Sequence, residues 1–182
     1  MKKTSLRVSE LVFDYHQRQV LESLANLYCR IWKEPPWNER FWSKEKVLTD
    51  LAFELTLPQA HCFVAMSNQG KIVGFTWGYA VSRSLMRTIA DSHHLDYVFR
   101  PNCLVYYIDE LGVAKAYRKR GIAKKLTQQL ICAARKNGCN IITLRTDTQA
   151  EAARKLYEKL GFKESPIKDK KYPTRTYWIK KI

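Results

Sequence analysis

Apolar side chains recur every three or four positions in two stretches of the first sixty residues, which is the spacing of an amphipathic helix. The first stretch covers residues 17–32 and ends before Pro35-Pro36, because proline lacks an amide proton and clashes with the preceding turn. The second stretch covers residues 41–57, and residues 6–13 favour an edge strand. This part of the chain is therefore predicted to form one strand and two helices.

Short apolar runs bounded by turn residues predict the strands of the remaining chain. Residues 61–67 and 72–81 flank the turn segment Asn68-Gln69-Gly70-Lys71 and are typical of a hairpin. Three further strands are predicted at residues 103–113, 140–147 and 174–181. The first of these three is the strongest strand pattern in the sequence.

Two helices are predicted between these later strands. Residues 121–138 carry apolar side chains on one helical face, with a glycine at each end. Residues 148–161 follow the same pattern, and Thr148 with Glu151 would form a capping box. Residues 82–101 form a linking segment that we expect to be at least partly helical. Strands joined through helices predict a mixed α/β sheet.

Length and composition favour one globular domain. The chain has 182 residues, of which 46% are hydrophobic and 27% charged, enough apolar material for a full core. Residues 1–17 lack the apolar segment of a signal peptide, and no apolar run is long enough to span a bilayer, so no membrane partner is expected. The five cysteines form no C-x-x-C pair, and no cluster has metal-ligand spacing. We therefore expect reduced thiols, no metal and a cytoplasmic location.

The formal net charge of +15, from 32 basic and 17 acidic residues, favours an anionic partner. Nucleic acid, a phosphorylated cofactor and an acidic protein surface all satisfy that condition. The basic segment 163–178 carries interleaved aromatic residues, as nucleic-acid surfaces do. A solvated loop explains this segment more simply, and we do not expect nucleic acid to be the partner.

The most concentrated positive charge lies in residues 116–126, AYRKRGIAKKL, where Gly121 opens a predicted helix. The first turn of a helix has backbone N–H groups without partners, and together with the helix dipole they suit a phosphate. Gly121 would let a phosphate approach without a Cβ in its path. Taken alone, however, this stretch is explained equally well as a solvated basic helix entry.

A wider pattern decides between these two interpretations. Residues 118–123, RKRGIA, have the form Arg/Gln-x-x-Gly-x-Gly/Ala, and residues 152–162, AARKLYEKLGF, follow about thirty residues later. Together with the preceding strand YYIDELGV, they resemble the GNAT superfamily of acetyl-CoA-dependent N-acetyltransferases. The resemblance is strong over residues 103–162, unspecific over the hairpin and weak over the first sixty residues.

The resemblance implies a single domain over residues 1–182, with a mixed, mostly antiparallel central sheet flanked by helices. Residues 103–162 would form the acetyl-CoA-binding core, and the helices within residues 1–60 would shape the acceptor side. An amine acceptor is the implied second substrate, and homodimers are frequent among such proteins. The implied cofactor-binding residues are Leu111, Gly112, Val113, Arg118, Lys119, Arg120, Gly121, Ile122, Ala123 and Lys124.

Within that set the resemblance implies two kinds of contact. The residues from Arg118 to Lys124 would bind the pyrophosphate. The backbone of Leu111 and Val113 would pair with the pantetheine arm, and the N–H of Val113 would stabilise the oxyanion. One departure is visible: such families often carry Asn at the position of Ala150, so one hydrogen bond to the arm would be missing.

The chemistry of acetyl transfer to an amine requires a base more than an acid. An alkyl amine has a pKa of about 10.4 and the leaving thiol about 8.5. Asp109 and Glu110 are the candidate bases, and we favour Asp109, since strand alternation would place it on the face of Leu111 and Val113. A β-bulge would break that alternation. Either carboxylate could instead be structural or bind the acceptor.

Tyr157 is the candidate proton donor to the leaving sulfur, a role that the resemblance implies for the tyrosine of the LYEKLGF segment. A Leu-Tyr pair on an amphipathic helix is otherwise typical of a core. Residues 31–42, IWKEPPWNERFW, combine aromatic rings with two glutamates, which would suit a cationic amine. A rigid Pro-Pro turn packed by its own tryptophans is the alternative.

Two other functions remain open at this point. A non-catalytic sensor that binds acyl-CoA could use the same scaffold, although the retained Tyr157 and carboxylates argue against it. A nucleic-acid-binding protein could exploit the net charge. The identity of the amine is not encoded in any motif of the sequence.

Overall fold

The computed structural model describes residues 6–12 and 18–182. Residues 1–5 and 13–17 lie outside it, so most of the segment examined for a signal peptide is not described. The start of the helix predicted at residue 17 lies outside as well.

The elements follow one another in the order that the sequence predicts, with one additional strand before the last. Two short 3-10 turns, at Asp96–Val98 and Lys115–Tyr117, join longer elements. The strands and helices in chain order are β1 (Arg7–Glu10), α1 (Arg18–Trp32), α2 (Lys44–Glu54), β2 (His61–Met66), β3 (Ile72–Val81), α3 (Arg83–Ala90), β4 (Val105–Val113), α4 (Ile122–Lys136), β5 (Ile141–Asp147), α5 (Glu151–Lys159), β6 (Lys163–Lys168) and β7 (Arg175–Lys181).

One seven-stranded sheet organises the described residues. Its strand order is β1-β2-β3-β4-β5-β7-β6, and among these pairs only β4 and β5 run parallel. The crossover between the two parallel strands is α4, as parallel pairing requires. The prediction of a mixed, mostly antiparallel sheet flanked by helices is confirmed.

The parallel pair comes apart halfway along β4. Its register runs from Val105 opposite Ile141 to Ile108 opposite Leu144 and stops there. β4 continues to Val113 while pairing only with β3 on its other side. The last five residues of β4 therefore present a free edge inside the sheet, facing a gap.

Two apolar layers cover the two faces of this sheet. On one face α1 and α2 pack over Phe75, which is fully buried. On the opposite face α4 packs closely enough that a Cβ on Gly74 would lie 3.1 Å from Ile122 and 3.2 Å from Leu126. Adjacent residues of β3 thus point into different layers, as strand alternation dictates.

Two local predictions need correction. The segment 163–178, expected to be a solvated loop, contains the edge strand β6, which pairs antiparallel with β7. The helix expected to be capped by Thr148 begins at Glu151, and Ala150 occupies the N-cap position without a side-chain hydrogen bond. The linking segment does contain a helix, α3, capped by Ser82.

All five cysteines are unpaired, and Cys62 and Cys139 are buried. Within residues 6–12 and 18–182, no helix combines the length and the apolar character needed to cross a bilayer. The same described residues hold no group of three side chains suited to a metal ion.

Candidate active site

An open groove runs along the free edge of β4, between the start of α4 and the outer surface of α5. Its volume is about 470 Å³. The predicted cofactor-binding residues among its lining are Leu111, Val113, Arg118, Lys119, Gly121, Ile122, Ala123 and Lys124. The structure therefore brings the two predicted contact regions, the strand edge and the basic loop, to one groove.

Gly121 is the N-cap of α4 and has φ +77°, a left-handed conformation that glycine adopts without strain. A Cβ built on Gly121 would meet nothing within 4 Å, so the space in front of the first turn is open. The first intrahelical bond from this position runs from Lys125 N–H to Gly121 O, at 3.1 Å. The preceding amides of the turn are the orphan donors that can bind a phosphate.

The basic side chains around Gly121 are mostly exposed, but they are not equivalent. Arg118 forms an ion pair with Glu34 at 2.6 Å and donates from Nε to the carbonyl of Val113 at 3.0 Å. Arg120 stacks on Tyr117, with its guanidinium carbon 5.1 Å from the ring centroid. Arg118 thus ties the loop before α4 to the segment that follows α1.

Two further cations of the groove come from α5, where sequence reasoning assigned none. Lys155 and Lys159 line the groove opposite Lys119 and Lys124. Spacing of four residues on one helix places both lysines on the same face. The groove is therefore positively charged on both walls.

The backbone of β4 is oriented so that alternate amides face the gap. Ala114 donates its N–H to the carbonyl of Val73 on β3 at 2.9 Å. Because consecutive backbone groups of a strand point to opposite sides, the N–H groups of Val113 and Leu111 point away from β3. They are available to an extended ligand along the free edge of β4.

A smaller cavity of about 90 Å³ adjoins the groove, and Leu111 and Ala153 line both. It lies between β4, β5, β7, α5 and the segment following α1. The other residues that line it are Trp32, Trp37, Tyr107, Asp109, Glu110, Arg145, Thr146, Tyr157 and Arg175. The three predicted catalytic side chains therefore meet in one cavity.

Asp109 occupies a β-bulge, which overturns the predicted alternation of β4. Trp77 of β3 pairs with Glu110 and Gly78 pairs with Ile108, so Asp109 has no partner. The extra residue turns both carboxylates toward the α1 and α2 side, whereas Leu111 packs on the α4 side. The expectation that Asp109 shares a face with Leu111 and Val113 is wrong.

Gly78 makes the bulge sterically feasible. A Cβ at this position would lie 2.3 Å from the carbonyl oxygen of Tyr107 and 2.8 Å from the ring of Tyr106. Only glycine allows the two backbones to approach this closely. A glycine inside a strand pattern was the available sequence signal for the bulge.

Each carboxylate of the bulge accepts a hydrogen bond from a partly or fully buried tyrosine. Tyr79 donates to Asp109 at 2.8 Å, and Tyr28 donates to Glu110 at 2.9 Å. Burial raises the pKa of Asp109, while the bond from Tyr79 and the charge of Arg145 oppose that rise. Burial and the neighbouring acidic charges hold the pKa of Glu110 well above its usual range.

Glu54, at the end of α2, adds a third carboxyl group that the sequence analysis did not identify. The indole N–H of Trp77 donates to it at 2.6 Å, and it hydrogen-bonds to the carboxyl of Asp109. Burial, assisted by the charge of Asp109, raises the pKa of Glu54 to about 9. Nothing in the local pattern of α2 distinguishes Glu54 from a solvated helix residue.

Tyr157 lines the small cavity from α5 and is 5% exposed. Its ring packs between Phe162, at a centroid distance of 5.7 Å, and Trp178, at 6.1 Å. Burial raises the pKa of Tyr157, so its hydroxyl stays protonated at neutral pH. The structure thus combines core packing of the ring with access of the residue to the cavity.

The aromatic segment after α1 contributes rings to the cavity but not its acids. Trp32 stacks on Tyr28 at 4.4 Å between ring centroids, and Trp37 lies next to Trp32 at 6.1 Å. Glu39 is bound by Arg175 and accepts from Trp42, while Glu34 is bound by Arg118. The proposed aromatic face is present, and both loop glutamates are already paired.

Two arginines that the sequence analysis did not select complete the cavity wall. Arg145 projects from β5 and donates to Asp169 at 2.7 Å. Arg175, from β7, lies over the ring of Tyr172 at 4.2 Å and over Trp37 at 5.4 Å. The cavity therefore has acidic groups on one strand and guanidinium groups on two others.

Comparison with known proteins agrees with this geometry. Residues 21–162 match the sequence profile of the Acetyltransferase (GNAT) family. An uncharacterized N-acetyltransferase of Bacillus subtilis, YycN, is 30% identical over 133 residues, which are 72% of this chain and 74% of that protein. A probable N-acetyltransferase of Xenopus tropicalis, camello, is 32% identical over 128 residues, 70% of this chain and 49% of that protein.

A shorter match involves N-alpha-acetyltransferase 30 of Schizosaccharomyces pombe, which is 43% identical over 65 residues, 36% of this chain and 43% of that protein. The chain thus spans less than half of the length of the fission yeast and frog relatives that it matches.

Solved structures share the fold across nearly the whole chain. The NatC complex bound to Gag peptide and CoA contains a chain with a TM-score of 0.72 and 21% identity, covering 98% of this chain and 99% of that chain. Arabidopsis thaliana NAA60 in complex with acetyl-CoA gives a TM-score of 0.70 at 16% identity, covering 98% of this chain and 99% of that chain. At such identities the likeness concerns the fold.

Proposed function

The chain belongs to the Acetyltransferase (GNAT) family, and from that premise we propose that it transfers the acetyl group of acetyl-CoA directly to a primary amine. The observation that carries the proposal is the junction of the two spaces. The positively charged groove and the carboxylate-lined cavity meet at Leu111 and Ala153. A thioester bound along the groove would present its carbonyl at that junction.

The groove has one region that suits the pyrophosphate of acetyl-CoA and another that suits its pantetheine arm. The open first turn of α4 at Gly121, with Lys119 and Lys124 beside it, would bind the pyrophosphate. The free N–H groups of Leu111 and Val113 would pair with the amides of the pantetheine arm. The N–H of Val113, which points away from β3 toward the groove, would donate to the oxyanion.

Asp109 is the base in this proposal. Burial raises the pKa of all three carboxyls, but at Asp109 the bond from Tyr79, the charge of Arg145 and the bond with Glu54 each lower it, so we assign the negative charge of the cluster to Asp109. It would remove a proton from the bound ammonium, directly or through water, so that the neutral amine attacks the thioester carbon. Such assistance contributes about 10²–10⁴-fold.

Tyr157 is the proton donor to the leaving sulfur in this proposal. As the carbon–sulfur bond breaks, its hydroxyl would donate a proton to the departing sulfur, giving free CoA thiol. The nitrogen would lose its second proton as the amide forms, which restores the Tyr157 hydroxyl directly or through water, and Asp109 would release its proton to solvent. The raised pKa of Tyr157 means that the proton is present before the reaction, and the thiolate's own low basicity makes the donation helpful but secondary. The small cavity, walled by Trp32 and Trp37, would hold the amine.

The acceptor class is open among the similar proteins themselves. The NatC complex was solved with a peptide, whereas an aminoglycoside N-acetyltransferase in complex with CoA also shares the fold, with a TM-score of 0.64.

A sensor that only binds acyl-CoA would not need the cluster of Asp109, Glu110 and Tyr157 around one cavity. We place the enzyme in the cytoplasm because its five cysteines are unpaired thiols.

The proposal is tested with the full chain by two measurements. Acetyl-CoA should raise the unfolding temperature in proportion to the logarithm of its concentration, as ligand linkage requires. Release of free thiol should then depend on an added primary amine. No thermal shift at saturating acetyl-CoA would contradict every CoA-based function, while a shift without any amine-dependent thiol release would favour the sensor. A nucleic-acid-binding protein would instead be stabilised by DNA or RNA, with strong salt dependence.

A further inference from the structure

On the basis of the proposed acetyl transfer, we infer that the acceptor is a small zwitterion, an α-amino acid or a close relative whose amine faces Asp109 while its carboxylate is bound by Arg145 and Arg175. The inference concerns the acceptor alone. It rests on the distribution of charge around the small cavity, on the way its arginines are held, and on its size.

Opposite charges line opposite sides of the cavity. Asp109, the assigned anion, comes from the bulge of β4 beside the neutral carboxyl of Glu110, whereas Arg145 and Arg175 come from β5 and β7, which pair with each other. In their register, Arg175 lies opposite Asp147 and Tyr177 lies opposite Arg145, so the two arginines are two positions apart along the paired strands and share one face. A ligand that carries both an ammonium and a carboxylate matches both sides.

Each guanidinium is held from behind by a carboxylate that does not line the cavity. Asp169, whose side chain is 0% exposed, accepts from Arg145 and also from the hydroxyl of Tyr177 at 2.5 Å. Glu39 binds Arg175 and accepts from the indole of Trp42 at 2.6 Å. Support of this kind fixes a guanidinium in position, as a preformed binding site requires.

Both arginines retain donors for a ligand. A guanidinium carries five N–H groups in a planar fork, and within the described residues Arg145 and Arg175 each give one nitrogen to their supporting carboxylate. A carboxylate is the group that such a fork binds in bidentate geometry. The ring of Tyr172 lies against both guanidiniums, at 5.4 Å from Arg145 and 4.2 Å from Arg175.

The charges and the small volume of the cavity also disfavour polyamines and peptides as acceptors. A polyamine in a cavity of about 90 Å³ would bring its second ammonium close to the two guanidiniums. The net charge of +15 would also slow its approach. The α-amine of a peptide would reach Asp109, but it carries a neutral amide where an amino acid carries the carboxylate.

The inference is tested by matched acceptors in the thiol-release assay. L-alanine, L-methionine and L-phenylalanine are each compared with the corresponding amide and with the amine that lacks the carboxylate. Putrescine and a tripeptide amide serve as the dication and the peptide. We expect the best acid to exceed its own amide and amine by about 10²-fold in kcat/KM, because two charge-assisted hydrogen bonds are lost without the carboxylate.

The amine of an amino-acid amide loses its proton more easily than the amine of the corresponding acid. Proton loss alone would therefore favour the amide, so a preference for the acid cannot come from the amine. Amides, putrescine or the tripeptide amide reacting as well as the acids would overturn the inference and leave acetyl transfer intact. Failure of every carboxylate-bearing amine, with the acetyl-CoA thermal shift present, would overturn it as well. Absence of that shift would instead contradict the proposed function.

Arg175→Gln provides the test from the protein side, because Arg145 supports a fully buried carboxylate and its loss risks the fold. Arg175→Gln should raise KM for the acid at least about 10-fold and leave the amide unchanged, so that the acid-to-amide ratio falls. Arg154→Gln is the matched control: Arg154 also lies over a tryptophan, Trp178, and pairs with Glu164, but it does not line the cavity. A ratio that changes equally in both variants, or in neither, would contradict the assignment.

Discussion

The two spaces that meet at Leu111 and Ala153 are built in different ways. The groove uses backbone amides of two adjacent segments, β4 and the first turn of α4, with exposed lysines around them. The cavity uses side chains from α1, the segment after α1, β4, β5, α5 and β7, several of them buried and hydrogen-bonded to neighbouring residues. The groove is open and positively charged, whereas the cavity is small and has both signs of charge.

This difference explains why only one of them leaves a motif. Many sequences can present a backbone amide to a ligand. A phosphate, however, can approach the amides at the start of a helix only beside small residues such as glycine or alanine, and this requirement leaves a short contiguous motif in the sequence. A cavity made by side chains from six segments has no fixed spacing along the chain. The sequence therefore carries a signature for the donor and none for the acceptor.

The largest expected effect follows from removing the base. Asp109→Asn should lower turnover by about 10²–10⁴-fold, since the amide cannot accept the proton of the ammonium. The dissociation constant of acetyl-CoA, measured by thermal shift, should stay within about twofold. Glu110→Gln keeps a neutral group where a neutral carboxyl is already expected, and its turnover should fall much less. The reverse order would make Glu110 the base.

Removal of the proton donor should have the next largest effect. Tyr157→Phe should lower turnover by about 10²-fold, the low end for general acid–base catalysis, because a thiolate leaves without much assistance. The ring contacts with Phe162 and Trp178 remain, so the unfolding temperature should change little. Unchanged turnover would remove the catalytic role and leave Tyr157 as a packing residue.

On the groove side, Gly121→Ala should weaken acetyl-CoA binding by about 10-fold, because a Cβ enters the path of the phosphates and the left-handed φ costs about 1–2 kcal/mol. Gly138→Ala is its control. Gly138 has φ +78° and equally open surroundings, but it follows the opposite end of α4. Both variants should lose similar stability in urea, and only Gly121→Ala should lose affinity. Equal affinities would contradict the phosphate site.

The third carboxyl should tune the base rather than replace it. Protonated Glu54 donates to Asp109 and lowers its pKa, so Glu54→Leu should raise that pKa. Activity requires ionised Asp109, so the acidic limb of the pH profile of kcat/KM should move to higher pH by about one unit, since one hydrogen bond to a charge is worth about 1.5–3 kcal/mol. Glu54→Gln keeps a donor and should restore the limb. An unmoved limb in Glu54→Leu would contradict this coupling.

The smallest effect is expected for the ion pair between the loop before α4 and the segment that follows α1. Glu34→Gln breaks the partly exposed pair with Arg118 and should raise KM for the acceptor by about 1.4–5-fold, as expected of about 0.2–1 kcal/mol. Glu22→Gln, which breaks the exposed pair with Arg18 on α1, is the control. A larger effect on acetyl-CoA binding than on the acceptor would assign the pair to the groove alone.

Local periodicity predicted the strands and helices of the mixed sheet, and the family resemblance indicated the two contact regions that meet in the groove. Sequence reasoning failed where contacts between distant segments decide. The bulge at Asp109 depends on the fit of Gly78 against Tyr107, and Glu54 meets Asp109 only because the end of α2 lies against Trp77 of β3. Strand β6 was missed because its burial comes from pairing with β7 rather than from its own apolar content.

The separation of β4 from β5 beyond Ile108 has a consequence for the choice of donor. The gap exposes the hydrogen-bonding edge of β4, so a ligand that pairs with this edge needs amides spaced along an extended chain, as a strand has. A short thioester could place its sulfur beside Tyr157 equally well, but it would lack the amides that can hydrogen-bond to the free edge of β4. If the proposed function holds, the protein would select acyl donors by the amides of their arm, at a distance from the bond that is broken.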